Sequence, residues 1–378
     1  MKRPFLFRTP GVVSFALLLI AATYGLVRLS FGLLLPDVQR DLGFGADFAG
    51  VIAAGGAALY VVGAVVGFFA ARMPRALVAT AAASAALGAT TMALATNPVV
   101  FAVAAAVGST GAGLASPGVV GVLRAHPATA SRPAFQDIAN SGTGPGLVAA
   151  GLLALLLLPE WRIVWAVAAV VAVVAGVGVL RASRSPAPSG RRAALPPTPW
   201  FLAHARPTAA ALAFGAGSAA VWTFGRVALV DAGMDAVSST LVWIALGVGG
   251  AAVAFTSPRM SAAGPGRTWV LTCALAAGAT LALTAIGGNF AVAIVASAVF
   301  GWAYTAATGA LIGWTAQIDA SRSAAGTALL FIVLVAGQGI GAGVLGVLVD
   351  PLGYTSVFVV ASVVVVGAAA GAVRAPRS

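Results

Sequence analysis

Twelve apolar runs, each about as long as a membrane-spanning helix, follow one another along the chain with short polar segments between them. A helix needs roughly 20 apolar residues to cross the hydrocarbon core of a bilayer. The pattern therefore predicts an all-α polytopic membrane protein with twelve transmembrane helices, numbered here as spans one to twelve. The predicted spans are 11–35, 46–71, 75–95, 98–123, 136–158, 161–181, 207–230, 236–256, 268–286, 289–315, 323–349 and 354–373.

Composition also indicates lipid as the main solvent. Of the 378 residues, 60% are hydrophobic and 8% are charged, whereas a soluble domain carries roughly 25% charged residues. The net charge of +12 does not predict a nucleic-acid partner, because the arginines fall in short clusters between the apolar runs. The single Cys273 excludes an intramolecular disulfide. The two histidines, His126 and His204, lie in predicted loops, so no metal site and no other cofactor is expected.

The distribution of basic residues predicts the orientation. Seventeen of the 21 Lys and Arg residues lie at the termini or in one set of loops, and the opposite loops hold only Arg40 and Arg162. Loops rich in Lys and Arg stay in the cytoplasm, so both termini are expected to be cytoplasmic. The longest basic connection, 182–206, is rich in Pro and Arg and is predicted to be a flexible linker. It separates an N-terminal bundle (1–181) from a C-terminal bundle (207–378).

The two predicted halves share a pattern of glycines and of aromatic–arginine pairs. Tyr24 and Arg28 in span one match Trp222 and Arg226 in span seven at an offset of 198 residues. Span five and span eleven share four glycines at an offset of 195 residues: Gly142, Gly144, Gly146 and Gly151 match Gly337, Gly339, Gly341 and Gly346. The matches predict a six-helix repeat. The alternative is that these glycines serve close helix contacts in unrelated helices.

Six plus six spans around a basic central loop resemble the major facilitator superfamily. The glycine–proline sequence of span five, residues 142–146, is similar to that superfamily's fifth-helix motif, and residues 24–36 of span one are most similar to a bacterial branch near cyanate-permease-like and sugar-efflux-like carriers. The resemblance implies two pseudo-symmetric six-helix bundles, transport by alternating access and a place in the bacterial cytoplasmic (inner) membrane. Together with the glycine repeat, it assigns gating or helix packing to Gly67, Arg72, Arg75, Gly142, Gly144, Pro145, Gly146, Gly337, Gly339 and Gly341.

The loop between spans two and three departs from the family pattern Gly-x-x-x-Asp-Arg-x-Gly-Arg. Ala71 stands in the place of the aspartate and Pro74 in the place of the second glycine. The family's arginine motif in the fourth helix is also missing, because residues 108–113 carry no charge. Drug–proton antiporters tend to have both motifs, so the resemblance makes drug export a less favoured function.

Arg28 and Arg226 are the only charged residues well inside the predicted spans, so they are the first candidates for binding a substrate. The family fold lines its cavity with spans one, four, seven and ten. Two guanidiniums without an obvious carboxylate partner would favour an anion. Alternatively, Arg28 reaches the outer interface and Arg226 pairs with Asp231 or Asp235, so that both anchor helices. The candidate substrate-binding residues are Tyr24, Arg28, Asn140, Trp222, Arg226, Trp243, Trp302, Tyr304, Thr305 and Gln338.

The sequence thus predicts a secondary active transporter for a small anionic or polar organic solute. The alternatives are an efflux carrier for hydrophobic drugs or metabolites, and a non-transporting membrane sensor or scaffold of the same fold. No enzyme activity is expected, since the chain has neither a Walker loop nor a Gly-x-Ser-x-Gly motif. The expected partners are a small-molecule substrate, the lipid bilayer, and protons or a counter-anion, with the chain as a monomer. Because no Asp or Glu lies near the middle of a span, a central carboxylate relay is not predicted.

Overall fold

The computed structural model describes residues 11–132, 134–183, 195–285 and 288–373, which are mostly helical. The final helical stretch, Ser323–Val373, holds two spans, α11 (323–352) and α12 (354–373), on either side of the non-helical Gly353. The twelve-helix prediction is therefore confirmed. The other long helices are α1 Gly11–Leu42, α2 Ala46–Phe69, α3 Pro74–Leu94, α4 Pro98–Ala125, α5 Ala134–Leu157, α6 Trp161–Ala182, α7 Ala205–Asp231, α8 Ala236–Ala263, α9 Pro265–Ala285 and α10 Phe290–Ile318. The basic residues near both termini and residues 184–194 of the linker lie outside the described residues.

Helix α1 is longer than the sequence predicts. A proline lacks the N–H that continues a helix, so span one was expected to end before Pro36. The structure instead carries the helix to Leu42, and Gly43 ends it in the left-handed region with φ of 69°. Every residue from Ser30 to Val38 is buried, so tertiary packing holds this turn helical in spite of the proline. As a result Asp37, which the sequence assigns to a loop, lies inside the helix bundle.

The middle of α1 has a π-helical stretch from Ala21 to Leu29. A π-helix joins residues five apart by hydrogen bonds instead of four, and such stretches occur frequently at functional sites. Tyr24 and Arg28, the pair that the sequence places on one helix face, both lie in this stretch. The irregular part of α1 is therefore the part that carries its candidate site residues.

Equivalent glycines make equivalent helix contacts in the two halves. Gly142 and Gly146 of α5 lie against α1, and a Cβ at Gly146 would be 2.5 Å from the carbonyl oxygen of Ala21. Gly337 and Gly341 of α11 lie against α7, where a Cβ would overlap backbone carbonyl groups. Helix α5 thus packs on α1 as α11 packs on α7, which is the arrangement that the six-helix repeat predicts.

The remaining matched glycines face the opposite half of the molecule. A Cβ at Gly339 would be 2.7 Å from the Cβ of Ala57 in α2. Gly144 faces α8, but a Cβ there would be 3.9 Å from the Cβ of Ala251, which is an ordinary contact. Gly144, which the sequence assigns to gating or helix packing, therefore makes no close backbone contact, because that side of α5 has room for a side chain.

This difference predicts the outcome of two alanine substitutions one helical turn apart. Gly146→Ala should lower the free energy of unfolding by about 1–3 kcal/mol, because the new methyl group meets backbone atoms that cannot move aside cheaply. Gly144→Ala should change it little. Thermal unfolding of both variants in detergent measures the effect, and equal melting temperatures would contradict the packing described here.

The tightest contacts between the halves lie between the centre of the bundle and one of its ends. That end, called the acidic end, holds the loops at 43–45, 158–160 and 232–235. A Cβ at Gly50 would be 2.5 Å from the carbonyl oxygen of Ala342, and one at Gly346 would be 2.7 Å from that of Ala46. Towards the opposite, basic end the contact at Gly144 is looser. The described structure is therefore closed at the acidic end.

The part of the linker nearest α7 is more ordered than the sequence predicts. Thr198–Ala203 forms a short helix, and His204, expected in a loop, is fully buried after it. The imidazole of His204 stacks on Trp200 with ring centroids 3.9 Å apart. Its Nε2 lies 2.8 Å from the Thr315 hydroxyl of α10. These contacts fix the start of the second half against α10.

Candidate functional site

Arg28 lies at the centre of the bundle and contacts both halves. Its Nη2 donates a hydrogen bond to Oε1 of Gln338 in α11, at 3.0 Å. Its guanidinium carbon is 4.9 Å from the ring centroid of Tyr60 in α2, close enough for a cation–π interaction. Neither partner carries a negative charge. Among the residues that the structure describes, Arg28 makes no salt bridge.

Three of the four tyrosines of the chain surround this arginine. The hydroxyl groups of Tyr24 and Tyr60 are 3.1 Å apart and share one hydrogen bond. On the other side, Nε2 of Gln338 donates to the hydroxyl of Tyr304 in α10, at 3.0 Å. The result is a polar chain from Tyr24 through Tyr60, Arg28 and Gln338 to Tyr304, and it crosses from one half of the molecule to the other.

A cavity of about 60 Å³ adjoins this polar chain. Its volume suits a few water-sized groups in the described conformation. Apolar side chains form much of its wall, and the polar groups are few. Its lining includes Arg28, Phe31, Ile52, Trp222, Thr223 and Gln338. Trp222 packs edge-on against Tyr304, with ring centroids 5.1 Å apart, and so joins the cavity wall to the polar chain.

Arg226 has a different environment, because its charge is paired. Its Nη1 donates to Oδ2 of Asp37 at 2.6 Å and to the Leu33 carbonyl at 2.6 Å. Its Nε donates to the Ser239 hydroxyl of α8 at 3.1 Å. The side chains of Arg226 and Asp37 are 1% and 5% exposed. This buried ion pair ties α1 of the first half to α7 and α8 of the second, on the acidic side of the cavity.

This pairing corrects two expectations about Arg226. The sequence offered Asp231 or Asp235 as its partner, and the partner is Asp37 from the other half. Asp235 instead caps α8: the hydroxyl and backbone N–H of Ser238, with the backbone N–H of Val237, bond to its carboxylate and hold its pKa below the usual value. Arg226 is not among the residues that line the cavity with Arg28, so the structure does not bring the two arginines together on one ligand position.

The other candidate residues divide into two groups. Trp243 packs edge-on against Trp222, with centroids 6.1 Å apart, and supports the cavity wall from behind. Trp302 donates its indole N–H to Thr256 of α8 at 3.0 Å. Thr305 is exposed and bonds to its own helix. Asn140 accepts a hydrogen bond from Ser116 and donates to the Gln136 carbonyl, near the basic end. These last three residues do not line the cavity.

The polar residues Tyr60, Thr223 and Asp37 belong to the site or support it and were not among the sequence candidates. Tyr60 is the one tyrosine in the middle of span two, and this isolated polar group was the available signal. Thr223 directly follows Trp222, and the nearby Trp222 and Arg226 are the more conspicuous residues of that span. Asp37 was assigned to a loop because Pro36 precedes it. No local pattern links Asp37 to Arg226, since 189 residues separate them.

Most of the residues assigned to gating or helix packing contact neighbouring helices. A Cβ at Gly67 would be 2.5 Å from Cγ of Pro117, so Gly67 joins α2 to α4. Arg75 donates to the Leu180 carbonyl at 2.9 Å and to Ser183, which ties α3 to the end of α6. Arg72 and Pro145 are exposed. All these contacts lie within the first half.

Comparison with solved structures shows transporters of the same architecture. The nucleoside transporter NupG superposes with a TM-score of 0.77 at 13% identity, covering 96% of this chain and 97% of that chain. A POT family transporter in complex with a thioalcohol-conjugated peptide gives 0.77 at 13% identity, with coverage of 96% and 95%. A bacterial homologue of the human lysosomal transporter Spinster, in an inward-facing and unoccupied conformation, gives 0.72 at 16% identity, with coverage of 97% and 96%.

Sequence comparison identifies the family. A search of curated proteins finds no match. The profile of the Major Facilitator Superfamily matches residues 17–318. That match covers most of the chain and agrees with the all-helical fold, the many apolar spans and the transporter neighbours. The chain therefore belongs to the Major Facilitator Superfamily of membrane transporters.

Proposed function

We propose that this protein is a secondary active transporter that carries a small organic anion across the bacterial cytoplasmic membrane, and that Arg28 binds the anionic group. The observation that carries the proposal is that the charge of Arg28 has no oppositely charged partner among the described residues. A guanidinium in the centre of a membrane bundle is costly unless it is paired. In the described residues its partners are a neutral amide and an aromatic ring. A carboxylate or similar group would supply the missing charge and match the planar guanidinium.

Several hydrogen-bond donors around Arg28 also favour an anion. The guanidinium has five N–H groups and no acceptor. Trp222 lines the cavity, and its indole N–H is buried without a described partner. The Tyr304 hydroxyl accepts from Gln338, so its own hydrogen is left to donate. A ligand that only accepts hydrogen bonds would satisfy these groups better than an amine or an alcohol.

The apolar wall indicates the rest of the ligand. Phe31, Ile52 and Trp222 line the cavity beside a single cationic group. An anion with a small apolar body would place its charge on Arg28 and its body against these side chains. This favours organic acids over strongly hydrated inorganic ions and over cationic drugs.

The contacts between the halves support transport by alternating access. The molecule is closed from the cavity to the acidic end, partly through the Arg226–Asp37 pair. With the basic loops on the cytoplasmic side, this is closure towards the outside. Rocking of the two bundles about the central site would open the other side. Exchange for a counter-anion, or a proton carried by the substrate itself, fits a cavity whose described lining contains no carboxylate.

A ligand series that differs only in charge tests this function. Thermal unfolding of the purified protein would be followed with acetate, propionate and benzoate, with the matching amides, and with propylamine and benzylamine, at constant ionic strength. A ligand at 100 times its dissociation constant stabilises the folded state by about 2.7 kcal/mol. We expect stabilisation by carboxylates alone. Equal stabilisation by the amides, stronger stabilisation by the amines, or none by any carboxylate would overturn the proposal.

A further inference from the structure

Gln338 occupies an unusual position for a polar residue. It is 7% exposed and lies in α11 between two glycines that pack on different halves. Gly337 is in backbone contact with α7, and Gly339 lies against Ala57 of α2. The backbone of Gln338 is therefore held at the junction of the two halves. Its side chain can therefore leave Arg28 by rotation about its own bonds, without a shift of the backbone.

The orientation of the Gln338 amide follows from its two partners. The Arg28 guanidinium only donates hydrogen bonds, so the amide oxygen must face it. The amide nitrogen then donates to Tyr304, at 3.0 Å. An amide oxygen is a planar, neutral counterpart of one carboxylate oxygen, and here it lies 3.0 Å from Nη2 of Arg28. The amide oxygen thus already makes, without a negative charge, a contact to Arg28 that a carboxylate oxygen could make.

The charges near the cavity indicate how many negative charges it can accept. Arg28 is the one charged residue in the described cavity lining. The charge of Arg226 is matched by Asp37, and Arg40, which is 3.5 Å from the same carboxylate, is 67% exposed to solvent. A ligand with one negative charge would neutralise Arg28. A ligand with two would leave a buried charge without a partner, which is expensive in an apolar site.

We propose that the Gln338 carboxamide holds, in the empty carrier, the position that one oxygen of an anion takes on Arg28, and that the site, with Arg28 as its one charge, prefers an anion with a single negative charge. This inference rests on the proposed function. Binding exchanges the amide oxygen for an anionic oxygen and removes a polar link between α1 and α11. The other described polar link between the halves, at Arg226, is untouched by this exchange.

Substitution of Gln338 by glutamate tests the inference without an added ligand. Gln338→Glu places a carboxylate on Arg28, so it should raise the melting temperature of the ligand-free protein. It should also weaken propionate binding by at least tenfold, because the position is filled. The gain in melting temperature should vanish in Arg28→Gln/Gln338→Glu. If Gln338→Glu binds propionate as the wild type does, the inference fails while the proposed function stands.

A second variant and a second ligand complete the test. Gln338→Met keeps the side-chain length but has no amide, so propionate binding should be as tight as in the wild type or tighter. Loss of binding in Gln338→Met would overturn the inference, because Gln338 would then be a direct ligand of the anion. Wild-type protein should prefer propionate to malonate, which carries two charges. Equal stabilisation by malonate would overturn the single-charge preference, and no binding of either acid would overturn the proposed function as well.

Discussion

Asp37→Ala is expected to lower the free energy of unfolding by about 3–5 kcal/mol, because it leaves the buried guanidinium of Arg226 without a charge partner. Arg226 is 1% exposed and cannot turn to solvent without unpacking the contact between α1 and α7. Denaturant titration of the purified protein in detergent micelles would measure the loss.

Two variants control for other causes of this loss. Asp41→Ala removes a carboxylate from the same end of α1, but its partner Arg162 is 38% exposed and Asp41 is 44% exposed. An exposed pair contributes no more than about 1 kcal/mol. The neutral double variant Asp37→Leu/Arg226→Met should regain most of the stability, since it leaves no unpaired charge. An equal cost for Asp37→Ala and Asp41→Ala would show that the buried pair has no special role.

Arg28→Gln is expected to abolish most transport while leaving the fold intact. A charge-assisted hydrogen bond contributes about 1.5–3 kcal/mol, so uptake at low substrate concentration should fall roughly ten- to a hundredfold. The unfolding temperature should stay the same or rise, because Arg28 has no described salt bridge to lose. Uptake into proteoliposomes of the acid that most stabilises the wild type would measure the effect.

Two further arginine variants sharpen this result. Arg28→Lys should restore only part of the uptake, since an ammonium keeps the charge but loses the planar, bidentate geometry. Arg206→Gln is the matched control, because Arg206 donates to the Gly371 carbonyl near the basic end and lies far from the cavity lining. Equal loss in Arg28→Gln and Arg206→Gln would assign the effect to general damage.

The sequence predicted most of the fold because lipid imposes a simple rule. Each span must satisfy its own backbone hydrogen bonds and present apolar side chains, so length and hydropathy locate it. The ends of the spans were harder to predict. Pro36 is a helix-ending residue by local rules, yet burial of residues 30–38 keeps α1 helical beyond it. The linker gave no helical pattern over Thr198–Ala203, because the burial of Trp200 comes from contact with other parts of the fold.

The candidate site was predictable in part for a similar reason. Arg28, Trp222, Tyr304 and Gln338 stood out as polar or aromatic groups within apolar spans, and the structure brings them together. Arg226 stood out equally, but its partner Asp37 comes from α1, so the sequence did not indicate that the charge of Arg226 is paired. The repeat in sequence indicated two equivalent arginines. The structure shows that they are not equivalent, since a carboxylate faces one of them and an amide faces the other.

The most direct test is to compare propionate binding by Arg28→Gln and by the neutral double variant Asp37→Leu/Arg226→Met. Both proteins lose an arginine charge from inside the helix bundle, but only the charge of Arg28 lacks a carboxylate partner in the described structure. Thermal stabilisation by propionate should disappear in Arg28→Gln and persist in the double variant. Persistence in Arg28→Gln together with loss in the double variant would contradict the account and place the anion on Arg226 instead.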